Sequence, residues 1–156
     1  MDHAQFGKHL LLVTVDAYTK WPEVHIVPST AAQPTIDKVR MIFTTHGLPL
    51  TLVSDNGSPL QSAEFRSFMT MNGIVHHHVP PYHPSLNGLA ENMVKTVKQA
   101  LSKSKFTKDA TIETHIARFL ASYRNTCHST TSRTPAELLL NRVPRTCLSL
   151  VHPSTT

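Results

Sequence analysis

Cysteine is scarce in this sequence: Cys127 and Cys147 are the only two in 156 residues, too few for a disulfide framework and in keeping with a reducing, intracellular setting. Long apolar runs are missing as well. The cleanest, Leu10 to Val13, falls far short of the roughly 20 residues that a bilayer-spanning helix needs, so no membrane partner is expected. The first residues, Met1-Asp2-His3-Ala4-Gln5, lack the charged-then-apolar order of a secretion signal. Glycine is sparse, and Gly7, Gly47, Gly57, Gly73 and Gly88 all fall where hydrophobic patterns break. Acidic residues are in deficit, ten against 15 Lys and Arg, which leaves a formal charge of +5 with 11 histidines in reserve. That balance suits a polyanionic partner without demanding one.

What is present fits one compact domain. Leu10 to Asp16 and Glu23 to Val27 read as two strands of a hairpin, the first a run of the kind buried inside a sheet. Ile36, Val39, Ile42 and Phe43 stand at helical spacing, and Gly47 with Pro49 stops that helix. Leu50 to Val53 is a short strand, Phe65, Phe68 and Met69 mark a second helix, and Ile74 to Val79 forms another strand. Pro80, Pro81 and Pro84 impose an extended loop that ends at Asn87-Gly88. Leu89, Met93, Val97 and Leu101 then predict an amphipathic helix, and Ile112, Ile116, Phe119, Leu120 and Tyr123 another. Pro135, with Thr134 as cap, opens a last short helix. The string predicts an α/β domain over residues 1–145, a mixed central sheet flanked by helices, followed by a C-terminal tail at 146–156.

Two carboxylates stand where chemistry is done. Asp55 follows an apolar strand and precedes Asn56-Gly57, which places it at a strand's open end. Glu91 falls in the first turn of the Leu89 helix, leaving 35 residues between them. Carboxylates on rigid elements are the hard oxygen ligands that Mg²⁺ takes. Taken singly, a turn aspartate and a first-turn glutamate facing the helix dipole serve as well. His76, His77, His78 and His83 do not make a zinc site, because consecutive strand residues point to opposite faces and no paired cysteines complete one.

The words around these acids carry more. Val15-Asp16-Ala17-Tyr18-Thr19-Lys20-Trp21-Pro22-Glu23-Val24, Ser54-Asp55-Asn56-Gly57, Gly73-Ile74, Pro81-Tyr82-His83-Pro84 and Asn87-Gly88-Leu89-Ala90-Glu91, followed by Ala121-Ser122-Tyr123-Arg124-Asn125-Thr126 and Thr134-Pro135-Ala136-Glu137-Leu138-Leu139, resemble the integrase catalytic core of gypsy-class LTR retrotransposons, relatives of retroviral integrases. The resemblance runs nearly end to end. It implies a ribonuclease-H-like fold and a DDE triad holding two Mg²⁺ or Mn²⁺ ions for 3′-end processing and strand transfer of DNA. It further implies homo-oligomers and a nuclear place of action. Asp55 and Glu91 match the second and third acids. The first lies one strand before the Val15 to Val24 word, which selects Asp2, 14 positions upstream of Asp16, with Asp16 as runner-up. Lys95 and Lys98, four and seven residues after Glu91 on one helical side, are expected to meet DNA, as are Asn56 and Asn87.

Some positions depart from the resemblance: Leu60 replaces the usual phenylalanine, and Ser132 and Asn141 stand where similar sequences carry glycine. The strand bearing Asp2 is expected to be clipped at Met1, and neither a zinc-binding domain before it nor a DNA-binding domain after Pro144 is visible. The other reading is therefore a truncated or domesticated domain that binds nucleic acid without catalysis. A ribonuclease H acting on RNA:DNA hybrids comes third.

Overall fold

A computed structural model describes residues 1–79, 87–104 and 110–150; the predicted proline loop with Pro80, Pro81, His83 and Pro84, and the end of the tail, lie outside the described residues. Three strands, β1 (Asp2–Phe6), β2 (His9–Val15) and β3 (Pro22–Val27), form an antiparallel sheet in that order. β4 (Thr51–Ser54) and β5 (Val75–His78) pair in parallel. The strands thus form two sheets, one antiparallel and one parallel, which meet where the Met1 amine donates to the Val53 carbonyl at 2.7 Å and β4 lies beside the start of β1.

Alternation explains why β2 reads as an unbroken apolar run. Leu11 and Val13 face one side with Ala4 and Val24, while Leu12 faces the other with Val27, and all three β2 residues are fully buried. Each such side chain contributes about 1.5–3 kcal/mol of transfer free energy. The first side is covered by α3 (Gly88–Lys103), through Met93, Val97 and Leu101, and by α4 (Ile112–Arg124), through Ile116 and Leu120. The second is covered by α1 (Ala32–His46), through Ile36 and Val39, and by α2 (Ala63–Met71), through Phe65 and Met69. Helices on both faces of a sheet are the layered solution expected from the sequence string. α5 (Pro135–Leu140) starts at the predicted cap: Thr134 and Glu137 close a reciprocal capping box, with Pro135 in the first turn.

One polar cluster ties the outer strand to both helical layers. Glu23 on β3 accepts from Trp21 Nε1 and His46 Nε2 through Oε1, each at 2.9 Å, and from Arg124 Nη2 through Oε2 at 3.1 Å. His25 Nε2 stands 3.4 Å from Oε2, in ionic reach but poorly aimed for a hydrogen bond. The Arg124 guanidinium also donates twice to the Pro22 carbonyl and lies 4.1 Å from the Trp21 ring centroid. The most recognisable word of the sequence therefore meets the Ser122 to Asn125 word in a structural knot.

Candidate active site

Register decides which acids meet. Asp2 lies opposite Val13 and so projects, like Ala4, to the face covered by α3. Asp55 follows β4, and the bond from the Met1 amine to the Val53 carbonyl sets the end of β4 beside the start of β1, where Asp2 stands. The two carboxyl groups come within reach of a shared proton. Burial, then the Asp55 charge, pushes Asp2 up to about 6. Half-buried carboxylates held face to face are costly when both are ionised, and a hard cation between them relieves the cost; the donor set therefore fits Mg²⁺ or Mn²⁺.

Asp55 is held on its other side. Its Oδ1 accepts from Gly57 N at 3.2 Å, an Asx turn, and a β-carbon built on Gly57 would stand 3.1 Å from that same oxygen. Gly57 has φ −56, which alanine adopts freely, so the restriction is contact with the carboxylate rather than backbone strain. Gly57→Ala is expected to lower Mn²⁺ affinity by about tenfold while the thermal midpoint moves by less than about 3 °C. Unchanged affinity in calorimetric titration would show that this turn does not set the carboxylate's direction.

Glu91 lies in the first turn of α3, half-buried, with its amide bonded to the Asn87 carbonyl. α3 packs across β1 and β2, so Glu91 belongs to the face on which Asp2 projects. Among the described residues, however, no three His, Cys, Asp or Glu side chains gather closely enough to hold a metal ion. Asp16 is elsewhere: it sits three positions past Val13, exposed, and its Oδ2 accepts from Thr19 N and Thr19 Oγ1, each at 2.7 Å. It caps the turn between β2 and β3, where Lys20 takes a positive φ.

Of the residues expected to meet DNA, Asn56 and Lys95 are exposed and Lys98 is half-buried on α3. Asn87 is turned inward: it is 3% exposed, and its Oδ1 lies 3.4 Å from the Met1 amine, so no exposed amide is offered in this arrangement. His3, on the α1 side of β1, bonds Thr35 Oγ1 at 3.1 Å, and burial lowers its pKa. A cavity of about 380 Å³, lined by Met1, Trp21, Phe43, Leu52 and Leu89 among others, does not include Asp2, Asp55 or Glu91 and is separate from the carboxylate pair.

Sequence reasoning missed what stands behind Asp55. Ser54, fully buried, places its Oγ 3.0 Å from the Asp55 carbonyl oxygen and 2.9 Å from His76 Nε2. The signal was available only in part: His76 and His78 alternate along a predicted strand and so share one face, but nothing in the sequence placed that strand beside Ser54.

Comparison with known proteins adds an independent line. A family model described as integrase core domain matches residues 1–84. An uncharacterised protein of Caenorhabditis elegans is 42% identical over 145 residues, 92% of this chain and 11% of that protein. A Tf2 transposon polyprotein of Schizosaccharomyces pombe is 28% identical over 137 residues, 85% of this chain and 10% of the polyprotein. The chain thus spans about a tenth of the length of these relatives. Among solved structures, the catalytic core domain of BIV integrase superposes with a TM-score of 0.75 at 22% identity, covering 90% of this chain and 91% of that one. An HTLV-2 integrase catalytic core in complex with magnesium gives 0.73 at 22% identity, covering 88% and 90%. A chain of the simian T-cell lymphotropic virus intasome gives 0.78 at 21% identity, covering 99% and 56%. At such identities these likenesses speak for the fold.

Proposed function

The chain belongs to the integrase core domain family, with its ribonuclease-H-like fold, and from that premise we propose that it is the core of a retroelement-derived, divalent-metal-dependent polynucleotidyl transferase acting on DNA. The observation that carries the reading is the Asp2 and Asp55 pair at neighbouring strand ends, facing one another beneath α3. In this reading Asp2, Asp55 and Glu91 are the three acids, and Glu91 completes the set from the first turn of α3. When bound, Mg²⁺ or Mn²⁺ ions supply charge stabilisation to the entering and leaving oxygens of an in-line phosphoryl transfer. The chain's own residues do the rest. Asp2 and Asp55 present ionised oxygens from rigid strand ends, and the Asx turn at Gly57 keeps Asp55 from rotating away. Lys95 and Lys98 set positive charge along the helix that carries Glu91, where a DNA backbone would lie; Asn56 offers an exposed amide beside Asp55. The substrates are element ends and target DNA, joined by a homo-oligomer in the nucleus.

Disintegration of a branched DNA substrate in Mn²⁺ tests the reading. Glu91→Gln is expected to lose activity by about a thousandfold or more while retaining DNA binding. Activity that survives the change removes Glu91 from the machinery. Salt-sensitive DNA binding by the unaltered chain with no nicking in Mn²⁺ would instead favour a non-catalytic nucleic-acid-binding domain, the reading consistent with Glu91 standing outside the close pair.

A further inference from the structure

The hydrogen bonds behind Asp55 have a direction that can be worked out. Ser54 Oγ carries one proton and has two close partners, the Asp55 carbonyl oxygen at 3.0 Å and His76 Nε2 at 2.9 Å. A carbonyl only accepts, so the hydroxyl donates there, and its oxygen must accept from His76. That makes His76 the Nε2–H tautomer. Its Nδ1 is left as a buried acceptor, for which no partner stands among the described residues. Burial, and then the neighbouring His78, lowers the His76 pKa to about 4, which keeps this ring neutral at ordinary pH.

The relay is mechanically stiff. His76 lies against the Phe65 ring edge, with centroids 5.2 Å apart, and its ring is 4.1 Å from that of His78, the next residue on the same face of β5. The Ser54 carbonyl is pinned by Val79 N at 3.0 Å. The two peptides that flank Asp55 are therefore each tethered, the first through the Ser54 carbonyl and the second through the Asp55 carbonyl, and the residue between them is Asp55, whose carboxyl meets Asp2. A donor at His76 Nε2 is what holds the Ser54 hydroxyl toward the Asp55 carbonyl; without it the hydroxyl is free to rotate and the Asp55 peptide loses its rear support.

We propose that His76 is a positioning residue for Asp55, acting through the Ser54 hydroxyl to fix the strand-end peptide that aims the Asp55 carboxylate at Asp2. The proposal rests on the reading of Asp55 as a metal ligand and deepens it. Groups standing behind ligands tune affinity by about 10–100-fold, which sets the size of the effect to look for.

Mn²⁺ affinity, measured by calorimetric titration of the folded chain, is the readout, with thermal unfolding recorded on the same samples. His76→Leu and Ser54→Ala are each expected to weaken Mn²⁺ binding by about 10–100-fold, and the double variant by no more than either alone. His76→Gln, whose amide can donate from near the Nε2 position, is expected to restore most of the affinity. His77→Leu, a change on the opposite, exposed face of the same strand, is expected to bind Mn²⁺ like the unaltered chain. Wild-type affinity in His76→Leu or Ser54→Ala overturns the proposal, as does an equal loss in His77→Leu or the absence of rescue by His76→Gln. Asp55→Asn separates the two levels: if it keeps full Mn²⁺ affinity, the reading of Asp55 as a ligand has failed, whereas its loss together with an unaffected His76→Leu rejects the positioning role alone.

Discussion

Asp2→Asn is expected to abolish metal-dependent strand transfer and, in the same tube without metal, to make the protein more stable. The two effects have one cause. In the folded chain burial, and then the Asp55 charge, raises the Asp2 carboxyl from its ordinary 3.8 to about 6. The folded state thus holds the proton more tightly than the unfolded state, and stability falls as pH rises from about 3.8 to about 6. Above that window the folded protein carries two facing carboxylates and the full penalty. After allowance for solvent around this half-buried pair, the penalty is up to about 2 kcal/mol, and Asp2→Asn removes it at pH 7 but gains nothing at pH 3.5. Asp55→Asn removes only the repulsion, leaving the burial cost of Asp2, so it should stabilise less. Mn²⁺ reverses the order: a ligand that binds only the folded form raises its stability by mass action, and the unaltered chain alone should gain from it. Turnover should fall by about a thousandfold or more in Asp2→Asn and stay near normal in Asp16→Asn, since asparagine can still cap the Thr19 turn. Full activity in Asp2→Asn, or a stability difference from the unaltered chain that is the same at pH 3.5 and pH 7, would reject this account.

How far the sequence foretold this depends on the range of the interaction concerned. Local patterns were legible: β2 and β3 pair as the expected hairpin, Thr134 caps α5, and α3 buries Met93, Val97 and Leu101 on its predicted stripe. The choice of Asp2 over Asp16 came from the resemblance alone; in the structure Asp2 stands beside Asp55, whereas Asp16 caps the turn at Thr19. Ser132 and Asn141, noted where similar sequences carry glycine, both adopt positive φ, 53 and 52, so the glycine preference has a backbone reason and these residues tolerate it at some cost. What stayed hidden were partnerships across long separations. Nothing in the spacing of Ser54 and His76 shows that parallel pairing of β4 and β5 will set an imidazole behind a serine hydroxyl, because register is a tertiary outcome. The burial of Asn87 is of the same kind, since only the fold shows that the start of β1 covers it.

Arg124→Leu is expected to cost about 3–5 kcal/mol, a substantial part of the stability of a domain this size. Arg124 closes the knot from α4, 102 positions from Pro22 in the chain, with two hydrogen bonds to the Pro22 carbonyl, one ion pair to Glu23 and a guanidinium stacked on Trp21. Leucine leaves Glu23 partly buried with one cation fewer, and an uncompensated charge costs more than the pair itself gains. Burial pushes the Glu23 carboxyl up, but the close approach of His25, the bond from Trp21, the Arg124 charge and the bond from His46 outweigh it and hold the group at about 2 against an ordinary 4.5. A depressed carboxyl stabilises the fold above about 4.5, and that contribution disappears as pH falls toward 2. The loss from Arg124→Leu should therefore be largest near neutrality and shrink in acid, opposite in direction to the pH dependence of Asp2. Denaturant unfolding at pH 7 and pH 3 distinguishes them. Glu23→Gln in the Arg124→Leu background should recover part of the loss at pH 7, since it removes the stranded charge. A double variant no more stable than Arg124→Leu alone would place the stabilisation in the Trp21 stack and the Pro22 bonds rather than in the ion pair.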